Sequence, residues 1–87
     1  MRARVFVKLK RGILDPKGAA VKRALEGLGY REVQELRVGK VLELELEGTD
    51  PGPARGRLEE MCRRLLANPV TEEFTVEIVE DSVRGVR

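Results

Sequence analysis

Few side chains in this sequence are of types that do chemistry, and their spacing decides what each is for. Glu43, Glu45 and Glu47 recur with period two, so on a strand they share one face and offer three carboxylates to a divalent cation. They alternate with Leu42, Leu44 and Leu46, however, and acid opposite leucine at this period marks a solvated strand face. Glu59 with Glu60, and Glu72 with Glu73, are adjacent pairs rather than carboxylates converging on one substrate. Cys62, the single cysteine, lies beside Met61 and Leu65 on an apolar helical stripe and reads as a packing residue. Asp15-Pro-Lys-Gly18 has the form of a helix start, where free N–H groups and Lys17 favour an anion. No GxxxxGKS/T or GxGxxG accompanies it, so capping by Asp15 is the better reading. Histidine is absent, which removes the commonest general base, the Ser-His and Cys-His pairs and the commonest metal ligand. An independent small enzyme would need carboxylate or lysine chemistry alone, with Lys8 or Lys40 as base. No catalytic, cofactor-binding or metal-binding residue is assigned.

The elements that carry these residues follow from periodicity. Residues 4–10 alternate, with Val5, Val7 and Leu9 on one face and Arg4, Phe6, Lys8 and Lys10 on the other, as in a half-buried strand. Asp15 as N-cap and Pro16 at the first helical position start a helix whose Val21, Ala24, Leu25 and Leu28 form one apolar stripe toward the sheet. Gly29 ends it as a left-handed cap. Between 31 and 47, Leu36, Val38, Leu42, Leu44 and Leu46 all hold even positions, so a two-residue turn at Gly39-Lys40 would put the leucines on opposite faces. Either a three-residue turn spans Val38-Gly39-Lys40, the favoured reading, or one long strand bends at Gly39 and reaches beyond its own subunit. The stretch 48–53 is a turn-rich break. Ala54, Leu58, Met61, Cys62, Leu65 and Leu66 then recur at helical spacing until Asn68-Pro69 stops the helix. Phe74, Val76 and Ile78 alternate in a last strand, and 81–87 form a frayed tail.

Two strand-helix-strand halves predict one α+β domain over residues 1–80, a β-α-β-β-α-β ferredoxin-like antiparallel sheet with both helices on one face. The uncovered face shows Phe6 among basic residues, with Glu43, Glu45 and Glu47 as complementary charges, and a second copy could dock there. Hydrophobic residues make up 41% of the 87, but only three are aromatic, so the core is thin and stability leans on assembly. Seventeen basic and fifteen acidic residues nearly cancel and are interspersed, which leaves no nucleic-acid footprint. RNA-recognition modules of this topology stack bases on strand aromatics, and here Phe6 is the only candidate. Arginine outnumbers lysine twelve to five, which hints at a heat-adapted or GC-biased source. Neither a signal peptide nor a membrane span is expected, and one unpaired cysteine fits a reducing cytoplasm.

Four segments together resemble the PurS family, the small subunit of phosphoribosylformylglycinamidine synthase in purine biosynthesis. They are Val7-Lys-Leu-Lys-Arg-Gly-Ile-Leu-Asp-Pro-Lys-Gly18, Leu28-Gly-Tyr30, Arg37-Val-Gly-Lys40 and Cys62-Arg-Arg-Leu-Leu-Ala-Asn-Pro-Val-Thr-Glu72. The resemblance implies an oligomeric, dimeric or tetrameric subunit that bridges a glutaminase and an ATP-dependent synthetase and helps ammonia pass between them. By that resemblance the complex converts formylglycinamide ribonucleotide, ATP, glutamine and water to formylglycinamidine ribonucleotide, ADP, phosphate and glutamate. ATP and Mg would be used by the synthetase partner, no cofactor would be bound by this chain, and the isolated chain would be inactive. The assembly surface is expected at Lys8, Lys10, Asp15, Pro16, Lys40, Asn68, Pro69 and Glu72, though each also has a local role as charge, cap or turn. The alternative is a stand-alone regulatory module that senses a small ligand.

Overall fold

Alternation along the chain lays down a three-stranded antiparallel sheet in which the first strand is central. The structure, a computed structural model, describes residues 1–48 and 50–79, and the tail expected at 81–87 lies outside them. Strand β1 (Arg2–Leu9) pairs with β2 (Gly39–Glu45) on one side and β3 (Glu72–Val79) on the other. The register sets Val5 opposite Leu42 and Val76, and Ala3 opposite Leu44 and Ile78, so the apolar parities of all three strands share one face. Helix α2 (Pro51–Met61) packs on that face, and its Leu58, together with Cys62, completes the core with Ala3, Val5, Val7, Ala67 and Val76.

On the opposite face most of the charges expected to await another copy are paired within the sheet, while Glu47 lies past the end of β2. Arg4 lies 3.5 Å from both Glu43 and Glu77, Arg2 reaches Glu45 at 3.7 Å, and Lys8 reaches Glu73 at 3.7 Å. These are direct cross-strand neighbours, so they fix register and contribute little free energy as exposed pairs. Phe6 faces Val41 and Thr75 between them.

Two expectations need correction. Residues 33–38 form no strand and no hairpin closes at Val38-Gly39-Lys40; instead this stretch runs ahead of β2, leaving three strands where four were expected. Gly39 is where it joins, because a Cβ there would stand 2.6 Å from Val7 O on the adjoining strand. The second correction concerns helix α1 (Pro16–Gly27), which supplies no side chain to the core. Its stripe faces outward, with Val21 43% and Leu28 73% exposed. The described chain is accordingly flat and drawn out, with extents of 48 × 34 × 15 Å.

Helix boundaries follow their caps. α1 begins with the Asp15 carboxylate accepting from Gly18 N and ends in a Schellman arrangement, Gly29 N donating to Glu26 O and Tyr30 N to Leu25 O, with Gly29 at φ +102°. α2 starts inside the expected break, because Asp50-Pro51 repeats the Asp15-Pro16 solution and Asp50 Oδ1 accepts from Gly52 N. Past Met61 the helix widens into a π turn (Cys62–Leu66), Ala67 N donating to Cys62 O five residues back. The wider turn shifts the phase of the stripe, so Cys62 stays buried while Leu65 is 83% exposed.

Candidate assembly surface

Because both neighbours run antiparallel to β1, the C-terminal end of β1 meets the starts of β2 and β3. That topology gathers all eight residues expected on the assembly surface at one end of the sheet. Lys8 lies at the end of β1 and Lys10 just past it, Lys40 is the second residue of β2, Glu72 opens β3 after the Asn68-Pro69 turn, and Asp15-Pro16 begins α1 after the connector 10–14.

Most of their polar groups are engaged inside the chain. Lys10 Nζ donates to Pro69 O at 2.8 Å, and its backbone N donates to Thr71 O at 2.9 Å. The Asn68–Glu72 turn is closed on itself: Asn68 N donates to Glu72 Oε1, Glu72 N to Asn68 O, each at 2.7 Å, and Val70 N to Asn68 Oδ1 at 3.0 Å. Asn68, Pro69 and Glu72 therefore shape a rigid corner that Lys10 ties to the end of β1. Lys40 is exposed and borders, with Phe6, Val41, Thr75 and Arg37, an open depression of about 530 Å³ on the outer face.

Asp15 does more than cap. Its Oδ1 accepts from Gly18 N and its Oδ2 from Val38 N, both at 2.9 Å, so one carboxylate ties the start of α1 to the segment that leads into β2. These two N–H donors hold its pKa below the usual carboxylate value, outweighing an opposing desolvation effect, and the positive charges of Arg37 and Lys17 add smaller lowering effects. Gly18 sits where α1 crosses that segment, and a Cβ on it would lie 2.5 Å from Leu36 O. Arg37, quoted in the sequence only as part of a motif, makes the third tie: Nη2 donates to Leu9 O at 2.8 Å and to Lys10 O at 3.1 Å. No residue pattern announces that role, since its acceptors are main-chain carbonyls freed where the β1 ladder ends.

An acid-limb experiment follows from the Asp15 geometry. A depressed folded-state pKa means a stabilising contribution that is whole above the unfolded-state pKa and is lost as pH falls through the folded value. Urea unfolding of the wild type and of Asp15→Asn at a series of pH values is expected to show the wild type's advantage intact near neutrality and shrinking on acidification below the ordinary carboxylate range. A pH-independent difference would contradict the assignment.

The remaining chemistry-bearing groups do not converge. Cys62 is fully buried in the core and burial pushes its thiol upward, away from the reactive thiolate. Glu43 and Glu45 are engaged by Arg4 and Arg2. No group of three or more Cys, Asp or Glu placed to hold a metal ion occurs among the described residues, and none of their helices is long and apolar enough to cross a membrane. What stands open is apolar: the α1 stripe, and Leu42, Leu44 and Leu46, which are only half-buried on the side of the core face that α1 leaves bare.

Comparison with known proteins converges on one family. The family model PurS, described as phosphoribosylformylglycinamidine (FGAM) synthase, matches residues 2–80. The Bacillus subtilis protein named phosphoribosylformylglycinamidine synthase subunit PurS is 43% identical over 79 residues, 91% of this chain and 93% of that protein. Among solved structures, the purS subunit of Thermotoga maritima phosphoribosylformylglycinamidine synthase superposes with a TM-score of 0.82 at 31% identity, covering 90% of each chain. A chain in the structure of PurLQS from Thermotoga maritima matches with a TM-score of 0.81 at 31% identity, over 90% of this chain and 95% of that one.

Proposed function

The chain belongs to the PurS family of phosphoribosylformylglycinamidine synthase subunits, and from that premise we propose that it works as the non-catalytic assembly subunit of this ligase in purine biosynthesis. It holds glutaminase and synthetase subunits together so that ammonia released from glutamine reaches the ATP-dependent amidation of formylglycinamide ribonucleotide. ATP and Mg belong to the synthetase subunit, and the site of action is the cytoplasm. One observation carries this reading: the chain turns its free apolar surface outward on α1 while the polar groups at the α1 root are consumed in internal hydrogen bonds. That is the design of a docking element rather than of a reaction centre. Sensing of a small anion is the weaker reading, since the Asp15 carboxylate already occupies the helix start such a ligand would need.

Self-assembly is part of the proposal. In a ferredoxin-like layout a fourth strand would lie along the outer edge of β2 and α1 would cover the β2 half of the sheet. Here β2 is an edge strand, residues 33–38 run unpaired ahead of it, and α1 points away. A second copy supplies the missing pieces: each copy lays its α1 and its 33–38 segment against the bare half of its partner's sheet, a symmetric exchange that covers both stripes. Size-exclusion chromatography of the chain mixed with purified glutaminase and synthetase subunits tests the larger reading. One joint peak holding all three is expected, and separate elution under turnover conditions would overturn it.

A further inference from the structure

The exchange requires α1 to leave the sheet in a defined direction, yet α1 gives no side chain to the core that could set one. Its direction is set at its root, where three segments meet in a few bonds. Asp15 joins the start of α1 to Val38 N, Arg37 joins the same segment to the carbonyls of Leu9 and Lys10, and Gly18 lets the two backbones approach to a distance no side chain would permit.

We propose that Asp15 and Arg37 are positioning residues that hold α1 in the orientation from which it engages a second copy, so that assembly is governed from a hinge at the base of the exchanged arm. This rests on the exchange described above. The physical consequence is one of populations. A helix released at its root samples many directions, and the apparent affinity falls in proportion to the fraction of chains in the competent one. In a symmetric exchange each copy contributes its own arm, so that fraction enters twice. A tenfold loss of competent orientation in each chain therefore weakens self-association about a hundredfold.

Two variants of the full chain separate positioning from folding. Asp15→Ser keeps a helix-capping oxygen for Gly18 N but is too short to serve Val38 N as well. Arg37→Lys keeps the charge on a shorter side chain and loses the guanidinium Nη2 that donates to both carbonyls. Self-association is measured by sedimentation equilibrium. Arm orientation is measured within single chains by electron-electron distance spectroscopy, with spin labels on Arg23→Cys and Thr75→Cys diluted into unlabelled protein, the buried Cys62 left in place. Both variants are expected to keep the far-UV helix signal, to associate about a hundredfold more weakly and to show a broadened label-to-label distribution. Variants that associate like the wild type with equally narrow distributions overturn the positioning role alone. A wild type that stays monomeric overturns the exchange reading, and this proposal with it.

Discussion

Combining Val21→Asp with Leu28→Lys is expected to give a folded monomer that no longer associates with itself. In the single chain Val21 is 43% and Leu28 73% exposed and neither belongs to the core, so replacing them leaves the core intact. In the exchange proposed above they would become buried, each contributing up to roughly 1.5–3 kcal/mol of transfer free energy, and a charge in their place would add a desolvation penalty. Lysine at 28 suits the C-terminal end of α1, where the helix dipole favours a cation. With two sites on each of two arms, the dissociation constant should rise by roughly a thousandfold or more. Sedimentation equilibrium reads the loss, and denaturant unfolding extrapolated to the monomer reads the unchanged fold. Association at wild-type strength would place the contact elsewhere and remove α1 from the interface.

The second large effect is expected inside. Leu58→Ala should cost about 2–5 kcal/mol, the usual range when a fully buried leucine leaves a cavity. It is among the largest side chains of a core that, among the described residues, counts only seven buried hydrophobics. A domain of this size holds roughly 5–15 kcal/mol in total, so the variant stands at the edge of unfolding. Leu65→Ala, two turns further along the same sequence stripe, is expected to change stability by less than about 0.5 kcal/mol because the π turn carries that side chain outward. Urea unfolding of both in the monomeric Val21→Asp, Leu28→Lys background separates packing from association. Equal costs would contradict the phase shift between Leu58 and Leu65.

How far the residues announced the fold differs from element to element. The parity of Val5, Val7 and Leu9, and of Phe74, Val76 and Ile78, carries over directly, because a one-sided core forces period two on a strand. Asp15-Pro16 and Gly29 mark the ends of α1 through local backbone chemistry that no tertiary context overrides. The even-numbered leucines were legible as a shared face but not as a topology. Their parity excluded a two-residue hairpin and left a three-residue turn and a long bent strand open, and which occurs depends on where Leu36 and Val38 find partners. For α1 the stripe is readable and its target is not: an apolar face specifies burial, not the chain that provides it. The expected surface residues were brought together by antiparallel topology, while Arg37 escaped notice because its partners are backbone carbonyls. Leu65 escaped because a single π turn breaks the 3.6-residue count without leaving a mark in the sequence.

The family match carries the function, and the structure adds that Cys62 is buried and that Glu43, Glu45, Glu73 and Glu77 are paired across strands, so the proposed role is assigned to the surfaces. The most direct test of that claim is product formation by glutaminase and synthetase subunits with and without this chain, with glutamine and with free ammonia as nitrogen source. Glutamine-dependent synthesis of formylglycinamidine ribonucleotide should require the chain, while synthesis from ammonia by the synthetase alone should persist without it. Equal glutamine-dependent rates in its absence would contradict the account.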